Sequence, residues 1–503
     1  MSQGRGTVAG TGAPARPPGY PSTMFRRSPL DEADRALDAA QTYAEWQSAA
    51  EAHDRLSGAE SWRAEEESPF YDAPLLRTDT ADLRALRLRG DGLALIRALT
   101  DSVYRHQADV GAPELYAEAL AGPKRLVSAW LDEADASLRW LAAHPIPGLD
   151  AAEKLRRFEQ AWKVYGRTAL LLSGGATWGF HHLGVVKSLF EADCLPHILS
   201  GASTGAMVAG GICCRTDAEL ADLFAHPEQM RLDGLLSVGA RRMLQTGAWL
   251  DPEQLKAVLR HNLGDWTFGE AFARSGRALN ISVSPTRTRQ KPRVLSHLTA
   301  PEVLVANAAL ASSALPGLFP PVELSARGPD GVRPYSPGER WVDGSLYGDL
   351  PKLRLARLHN VNHFIVSQTN PHVAPFGRLR NRRGVAPAVA GAAMSAARSQ
   401  GVAAAAFARA ATPGSAGPLR ELADRTYAMV TQDYGGDIDI HPRFRPALLT
   451  NLVSNPTPET LRDFIREGER ATWPVLARVR DQTRLGRAFR ECVGELSAKS
   501  SRK

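Results

Sequence analysis

From Leu30 to about Trp140, apolar residues recur every three or four positions, with polar residues between them. In "LDEADRALDAAQTYAEWQSAAEAHDRL", Leu30, Ala33, Leu37, Ala40 and Ala44 keep helical spacing. In "TADLRALRLRGDGLALIRALTDSVY", Leu83, Leu86, Leu93, Ile96 and Leu99 do the same. "GPKRLVSAWLDEADASLRWLAAH" makes a further helix, stopped near Pro145. No period-two alternation interrupts the run. The pattern predicts an all-helical N-terminal domain over residues 29–165.

After Tyr165 the pattern changes to strand, glycine turn, helix. "RTALLLS" predicts a short strand of the buried parallel type. "GGATWG" follows, then a helix with Leu183, Val186 and Phe190 on one face. "LPHILSG" predicts a second strand and "STGAMVAGGICC" a second helix. "ALNISVSP", "RWVDGSL" and "NHFIVSQ" predict further strands. Strands alternating with helices predict an α/β domain over residues 166–370, with a mostly parallel central sheet flanked by helices. Past Ala386, "VAPAVAGAAMSAARSQGVAAAAFARAA" predicts helix, so residues 371–503 read as a helical, Ala/Arg-rich C-terminal region. Residues 1–28 are rich in Gly, Pro and Ala and are expected to be a disordered tail.

Composition changes this picture little. The chain has 503 residues, 44% of them hydrophobic and 23% charged, which fits several folded domains. The net charge of +7 fits an anionic membrane or nucleic acid as partner, but Arg-rich sequences are often basic for compositional reasons, and that plainer reading is preferred. From Pro371 to Arg420 there are seven arginines and no acidic residue, so this stretch can lie against anionic lipid; the alternative is a solvated or internally packed helix. Its arginines are not interleaved with stacking aromatics, which argues against nucleic acid. The N-terminus has no apolar signal-peptide core. No stretch reaches the roughly 18 uninterrupted apolar residues of a spanning helix. A cytoplasmic protein with at most peripheral membrane contact is expected. The four cysteines, Cys194, Cys213, Cys214 and Cys492, form no metal-ligand spacing and are expected to be free thiols.

"GASTG" fits G-x-S-x-G, with Gly201, Ser203 and Gly205. Alone the pattern recurs by chance. Between a strand and a helix it is a nucleophile elbow, in which a sharp turn lifts the serine Oγ out of the sheet. In "SGGATWG", Gly174, Gly175 and Ala176 follow a strand and open a helix. Their backbone N–H groups can converge on an anion. A dinucleotide fingerprint would need glycine at position 172 or 176, where Leu172 and Ala176 stand. A phosphate loop would need a following Lys-Ser/Thr, which is missing. An oxyanion hole is the better reading. His359, His363, His372 and His441 are available as bases, but none sits in a telling motif. His181 and His182 are expected to pack or to face solvent. In "RWVDGSLYGDLP", Asp343 ends a short apolar run beside Gly344. Such a carboxylate can approach a serine Oγ directly; the alternative is an ordinary Asx turn.

Together these three segments resemble the patatin-like lipid acyl hydrolases. The resemblance implies a serine–aspartate dyad without histidine: Ser203 as nucleophile, Asp343 as base, and Gly174, Gly175 and Ala176 as the oxyanion loop. It implies no metal and no organic cofactor, an acyl-lipid substrate, and a membrane or lipid-droplet surface as a peripheral partner. Two positions depart from the family pattern. Ser345 stands where Ala or Gly is frequent after Asp-Gly, and Trp178 replaces a basic residue of the loop. "TYAEWQSAAEAHD", "YDAPLLRTDTADLRALR" and "LYAEALAGPKRLVSAWLDE" are similar to the helical domain that precedes the patatin domain in eukaryotic storage-lipid triacylglycerol lipases. The likeness runs from about Gln41 to Cys492. It implies triacylglycerol first, with phospholipid or lysophospholipid next. The H-x-x-x-x-D spacing linked to lysolipid acyl transfer is missing; "HNLGD" from His261 is one residue short. A catalytically silent lipid-binding scaffold is the alternative from another class.

Overall fold

The computed structural model describes residues 28–103, 107–287, 290–370, 434–443 and 452–500. The N-terminal tail, the seven-arginine stretch and His372 lie outside the described residues.

Among the described residues the N-terminal part carries α1 (Pro29–Ala39), α2 (Tyr43–Ser57), α3 (Ala59–Ala64), α4 (Ala73–Arg89), α5 (Gly92–Ser102), α6 (Arg125–Ala143) and α7 (Ala151–Tyr165), with a long connection between α5 and α6. Two continuous apolar patterns turn out to be broken. The first stops at Ala39, and Thr42 caps α2 by accepting the N–H of Glu45. The second stops at Gly90, whose φ of 73° ends α4, and Asp91 caps α5. Helical spacing survives a two- or three-residue break, so periodicity alone does not reveal it.

The α/β part follows with β1 (Arg167–Leu172), α8 (His181–Glu191), β2 (Ile198–Gly201), α9 (Thr204–Cys213), α10 (Asp217–Ala225), α11 (Ala240–Thr246), α12 (Pro252–Leu263) and α13 (Phe268–Ser275). Then come β3 (Ala278–Pro285), β4 (Arg293–Ser296), α14 (Val305–Ser312), the β5–β6 hairpin (Ser325–Gly328, Gly331–Pro334) and β7 (Trp341–Asp343). α15 (Ser345–Gly348), α16 (Lys352–His359), β8 (Val361–Ser367) and β9 (Ile438–Ile440) complete the sheet. Its order is β4-β3-β2-β1-β8-β9, with β7 also on β3. β1, β2, β3, β8 and β9 are parallel; β4 and β7 run antiparallel to β3.

Alternation within the strands explains why both faces are covered. Leu170, Leu172, Leu199 and Ile281 enter the large core with α8, α9 and α14. Ala169, Leu171, Ile198 and Ala278 point the other way, onto Leu355 of α16. The region expected to be wholly helical contributes a strand: β9 pairs with β8, Ile438 opposite Ile365. Three residues, "IDI", between Gly435-Gly436 and Pro442, are too short to show a period. A 43-residue helix, Pro458–Ser500, is the last described element.

Candidate active site

Gly201 and Gly205 make the elbow by close approach. A Cβ on Gly201 would lie 2.2 Å from the carbonyl oxygen of Gly205, and one on Gly205 would lie 2.1 Å from that of Leu172. No side chain fits either gap. Between them Ser203 takes φ 53° and ψ −126°. A non-glycine residue in such a conformation costs on the order of 1–3 kcal/mol, and the surrounding structure must hold it. The Ser203 N–H donates to Ser312 Oγ at 3.0 Å, and Ser312 Oγ donates to the Ser282 carbonyl at 2.7 Å. The side chain does not cap α9, so its Oγ is available to other groups.

Sheet register brings Asp343 to that serine. Gly201 lies opposite Ile281 on β3. Asp343 lies opposite Val283, whose other edge faces Arg293 of β4. β7 therefore takes the edge of β3 that β2 has just vacated. Asp343 arrives where the chain, two residues past Gly201, turns at Ser203. A Cβ on Gly344 would lie 2.0 Å from the Ser282 carbonyl oxygen, which explains the glycine.

Asp343 is 2% exposed. Burial pushes its carboxyl up to about 6, opposed by the Ser345 N–H, the Ser345 hydroxyl and the Ser203 hydroxyl. The Ser345 N–H and Oγ–H both donate to Oδ1 at 2.8 Å. The Asx-turn bond and the approach to Ser203 are thus both present; the two alternatives were never exclusive.

The glycine loop has one donor fewer than expected. The Gly174 N–H donates to Asp349 Oδ1 at 2.8 Å, and Asn370 Nδ2 donates to Oδ2 at 2.6 Å. This second carboxylate is 1% exposed. Burial pushes it up to about 7, and the neighbouring Asp343 adds to the rise. The N–H groups of Gly175 and Ala176 make no hydrogen bond among the described residues, and both residues border the same cavity as Ser203. Ala176 has φ 49°. Its carbonyl accepts from Thr204 Oγ1 at 2.8 Å, which ties the loop to the elbow. Trp178 is buried against Phe464, away from the donors.

No histidine lines the cavity among the described residues. His359 Nε2 meets Asn280 Oδ1 at 2.9 Å, and His363 bridges Thr168 and Gln482. His441 lies beside His181. His181 and His182 are buried, and burial lowers them to about 3 and about 4, so both are neutral at pH 7. His182 braces the loop from below, meeting Ser367 Oγ at 2.7 Å and the Ser173 carbonyl at 2.9 Å. Sequence reasoning missed Ser312, Asp349 and Asn370. Each acts through a contact distant in sequence, and none carries a local motif.

The cavity has a volume of about 380 Å³. Thr204, Met207, Val208, Gly211, Ile212 and Arg215, one face of α9 and its continuation, form one wall. Leu255, Val258, Leu259 and Leu263 of α12 form the facing wall. From Ser203 to Arg215 the helical rise gives roughly 18 Å. The site is a strained serine beside a buried carboxylate, with two N–H groups that no described residue bonds, at one end of an apolar channel.

A strand–serine–helix turn facing a strand-end Asp-Gly, under a glycine loop on a mostly parallel sheet, defines the patatin-like class. Family models agree. Residues 170–353 match "Patatin-like phospholipase", and residues 24–163 match "Domain of unknown function (DUF3336)". Triacylglycerol lipase ptl3 of Schizosaccharomyces pombe is 33% identical, over 87% of this chain and 92% of its own. Triacylglycerol lipase 4 of Saccharomyces cerevisiae is 33% identical over 90% of this chain and 51% of its own. The chain belongs to the patatin-like phospholipase family. It spans about half the length of several curated relatives it matches. Among solved structures, VipD from Legionella pneumophila aligns with 61% of this chain and 66% of its own, at 14% identity and a TM-score of 0.31.

Proposed function

We propose that this protein is a serine lipid acyl hydrolase that uses a Ser203–Asp343 dyad to cleave fatty-acyl esters, with triacylglycerol as the preferred substrate. The observation that carries the proposal is the strained Ser203 beside the buried Asp343 carboxylate at the head of an apolar channel. Asp343 takes the proton of the Ser203 hydroxyl as Oγ attacks the ester carbonyl. The Gly175 and Ala176 N–H groups and the N-terminal end of α9 stabilise the oxyanion. Collapse breaks the ester C–O bond, and protonated Asp343 returns its proton to the leaving alkoxide. Asp343 then deprotonates a water that attacks acyl-Ser203; the Oγ–acyl bond breaks, Asp343 returns the proton to Ser203 Oγ, and the fatty acid leaves. Relatives named triacylglycerol lipase support a neutral glyceride, and the apolar lining suits a fatty-acyl chain. Substrate is expected to arrive from a membrane or lipid-droplet surface, with the protein bound peripherally; no helix among the described residues is long and apolar enough to cross a membrane.

The test is fatty-acid release from tri-, di- and monoacylglycerol, phospholipid and lysophospholipid. Triacylglycerol should be fastest. Ser203→Ala and Asp343→Asn should each lose activity by on the order of 10⁴-fold or more while remaining folded. A fluorophosphonate probe should label the native protein and not Ser203→Ala. An active Ser203→Ala protein would overturn the mechanism, and a preference for phospholipid would overturn the substrate assignment.

A further inference from the structure

Between α10 and α12 the chain makes an excursion that carries α11 at its tip. Its two arms are paired: the Val238 N–H donates to the Trp249 carbonyl, and the Asp251 N–H to the Leu236 carbonyl, both at 2.9 Å. Its base is part of the channel. Leu235 and Leu250 line the cavity, and the Leu250 N–H donates to the Leu318 carbonyl, another lining residue, at 2.9 Å. The side chains next to these point outward. Leu236 is 52% exposed, Leu244 at the tip 82% and Trp249 59%. Leu315 and Val453, which also line the cavity, are 37% and 49% exposed. Leu315 and Val453 thus carry apolar surface from the channel to the outside of the molecule, and Leu236 and Trp249 adjoin the lining residues Leu235 and Leu250 in the chain.

The charge pattern is equally one-sided. Residues 234–250 contain Arg241 and Arg242 and no acidic residue. The flanking acids are engaged: Asp233 pairs with Arg231 at 2.8 Å, and Asp251 caps α12. An exposed leucine and tryptophan in a segment whose own charges are all arginine are the pattern of a segment lying in a lipid interface, where the rings and aliphatic chains enter the acyl boundary and arginine stays among the headgroups. A protein partner would need no such continuity with the channel. A lipid surface does, because an acyl chain leaving it would otherwise cross water.

We infer that the α11 excursion, with Leu236, Leu244 and Trp249, is the surface by which this protein docks on lipid, seating the mouth of its channel against an interface carrying some anionic headgroups. This rests on the acyl-hydrolase reading for its purpose but not for its test. Vesicles of phosphatidylcholine, with and without phosphatidylglycerol, are sedimented with the full chain. The native protein should co-sediment, more strongly with phosphatidylglycerol and less so in high salt. Leu244→Asp combined with Trp249→Asp should lower the bound fraction by on the order of tenfold or more. Arg241→Glu should remove the gain from phosphatidylglycerol. The same variants should hydrolyse a water-soluble butyrate ester at the native rate, because none of these side chains lines the cavity. Equal sedimentation of native and doubly substituted protein would overturn the inference. So would a native protein that ignores vesicles but is a dimer that the double substitution converts to monomer, which would assign the face to a second copy. Loss of butyrate hydrolysis in the native protein would overturn the acyl-hydrolase reading and leave the sedimentation result standing.

Discussion

A buried carboxylate acts as a base only once it is ionised. Burial holds Asp343 up at about 6, so the proposed base is charged at neutral pH and is lost as the pH falls through that value. kcat/KM on a soluble ester should therefore be flat near pH 8 and decline below about pH 6. Ser345 enters here. Its hydroxyl donates to Asp343 and favours the ionised form. Ser345→Ala should move the acid limb of the profile to higher pH while retaining activity above it. An unmoved limb would show that the bond does not tune the base. The raised values also set a cost. A carboxyl raised by burial stabilises the fold most below its unfolded pKa of about 4, and that contribution is lost as pH rises through the folded value. Asp343 and Asp349 together thus oppose stability at the pH where the site would work. A site that keeps two such groups, plus positive φ at Ser203 and Ala176, is locally strained in the way functional sites often are.

At the scale of elements, α9 does more than present its first turn. Its inward face walls the channel from Thr204 to Ile212, and Arg215 follows just past its end. An extended chain advances roughly 1.2 Å per bond, taking about 3.6 Å for the three bonds of an extended residue. The channel of roughly 18 Å estimated from the 1.5 Å helical rise then takes about fifteen bonds, a long-chain acyl group. Gly211 sits on this face, eight residues from Ser203, and a Cβ there meets only Arg215 Nη1, at 3.6 Å. Gly211→Phe should plug the channel about 12 Å from the serine by the same rise. Hydrolysis of a p-nitrophenyl ester series should then keep short chains and lose long ones; an unchanged profile would place the acyl chain elsewhere. Two other glycines serve packing alone. A Cβ on Gly184 of α8 would lie 1.8 Å from the Ile465 carbonyl oxygen, and one on Gly468 would lie 2.2 Å from that of His181. Gly468→Val should cost roughly 3 kcal/mol or more in denaturant unfolding, because two helix backbones must separate. Gly494→Ala, with nothing within 4 Å, should instead stabilise by about 0.5–1 kcal/mol.

At the scale of the molecule, the helix Pro458–Ser500 joins the parts. Leu461, Ile465, Leu476 and Val479 enter the core of the sheet. Leu485, Phe489, Cys492 and Leu496 enter the core of the N-terminal helices. Trp473 packs with Trp46 and Ala50 of α2. The last helix of the chain is thus shared by the first and the middle parts. Unfolding of the helical N-terminal part and of the sheet should accordingly be coupled, and Gly468→Val should lower both in one transition. The part-buried bonds from Thr177 to the Leu452 and Ser454 carbonyls extend the same coupling to the site, since the chain just before this helix covers the glycine loop.

Periodicity and local motifs were enough to read the helical N-terminal part, the strands β1, β2, β3, β7 and β8, the elbow at Ser203 and the two glycine turns. These are local features: a strand buried on both faces must be apolar throughout, and a turn without room for a Cβ must use glycine. Asp343 stood out only through its resemblance to a family, since an Asp-Gly at a strand end looks like any turn. What tertiary structure alone decided has long-range causes. The pairing of β7 on β3 delivers Asp343 to Ser203 from 140 residues away. Asp349, held on its other oxygen by Asn370, takes up the Gly174 N–H. β9 joins the sheet from a region expected to be helical, through a segment too short to show a period. The sequence carries the residue types and their local spacing; which donor stays free and which carboxylate meets the serine depends on strand register and burial, which exist only once the chain has folded.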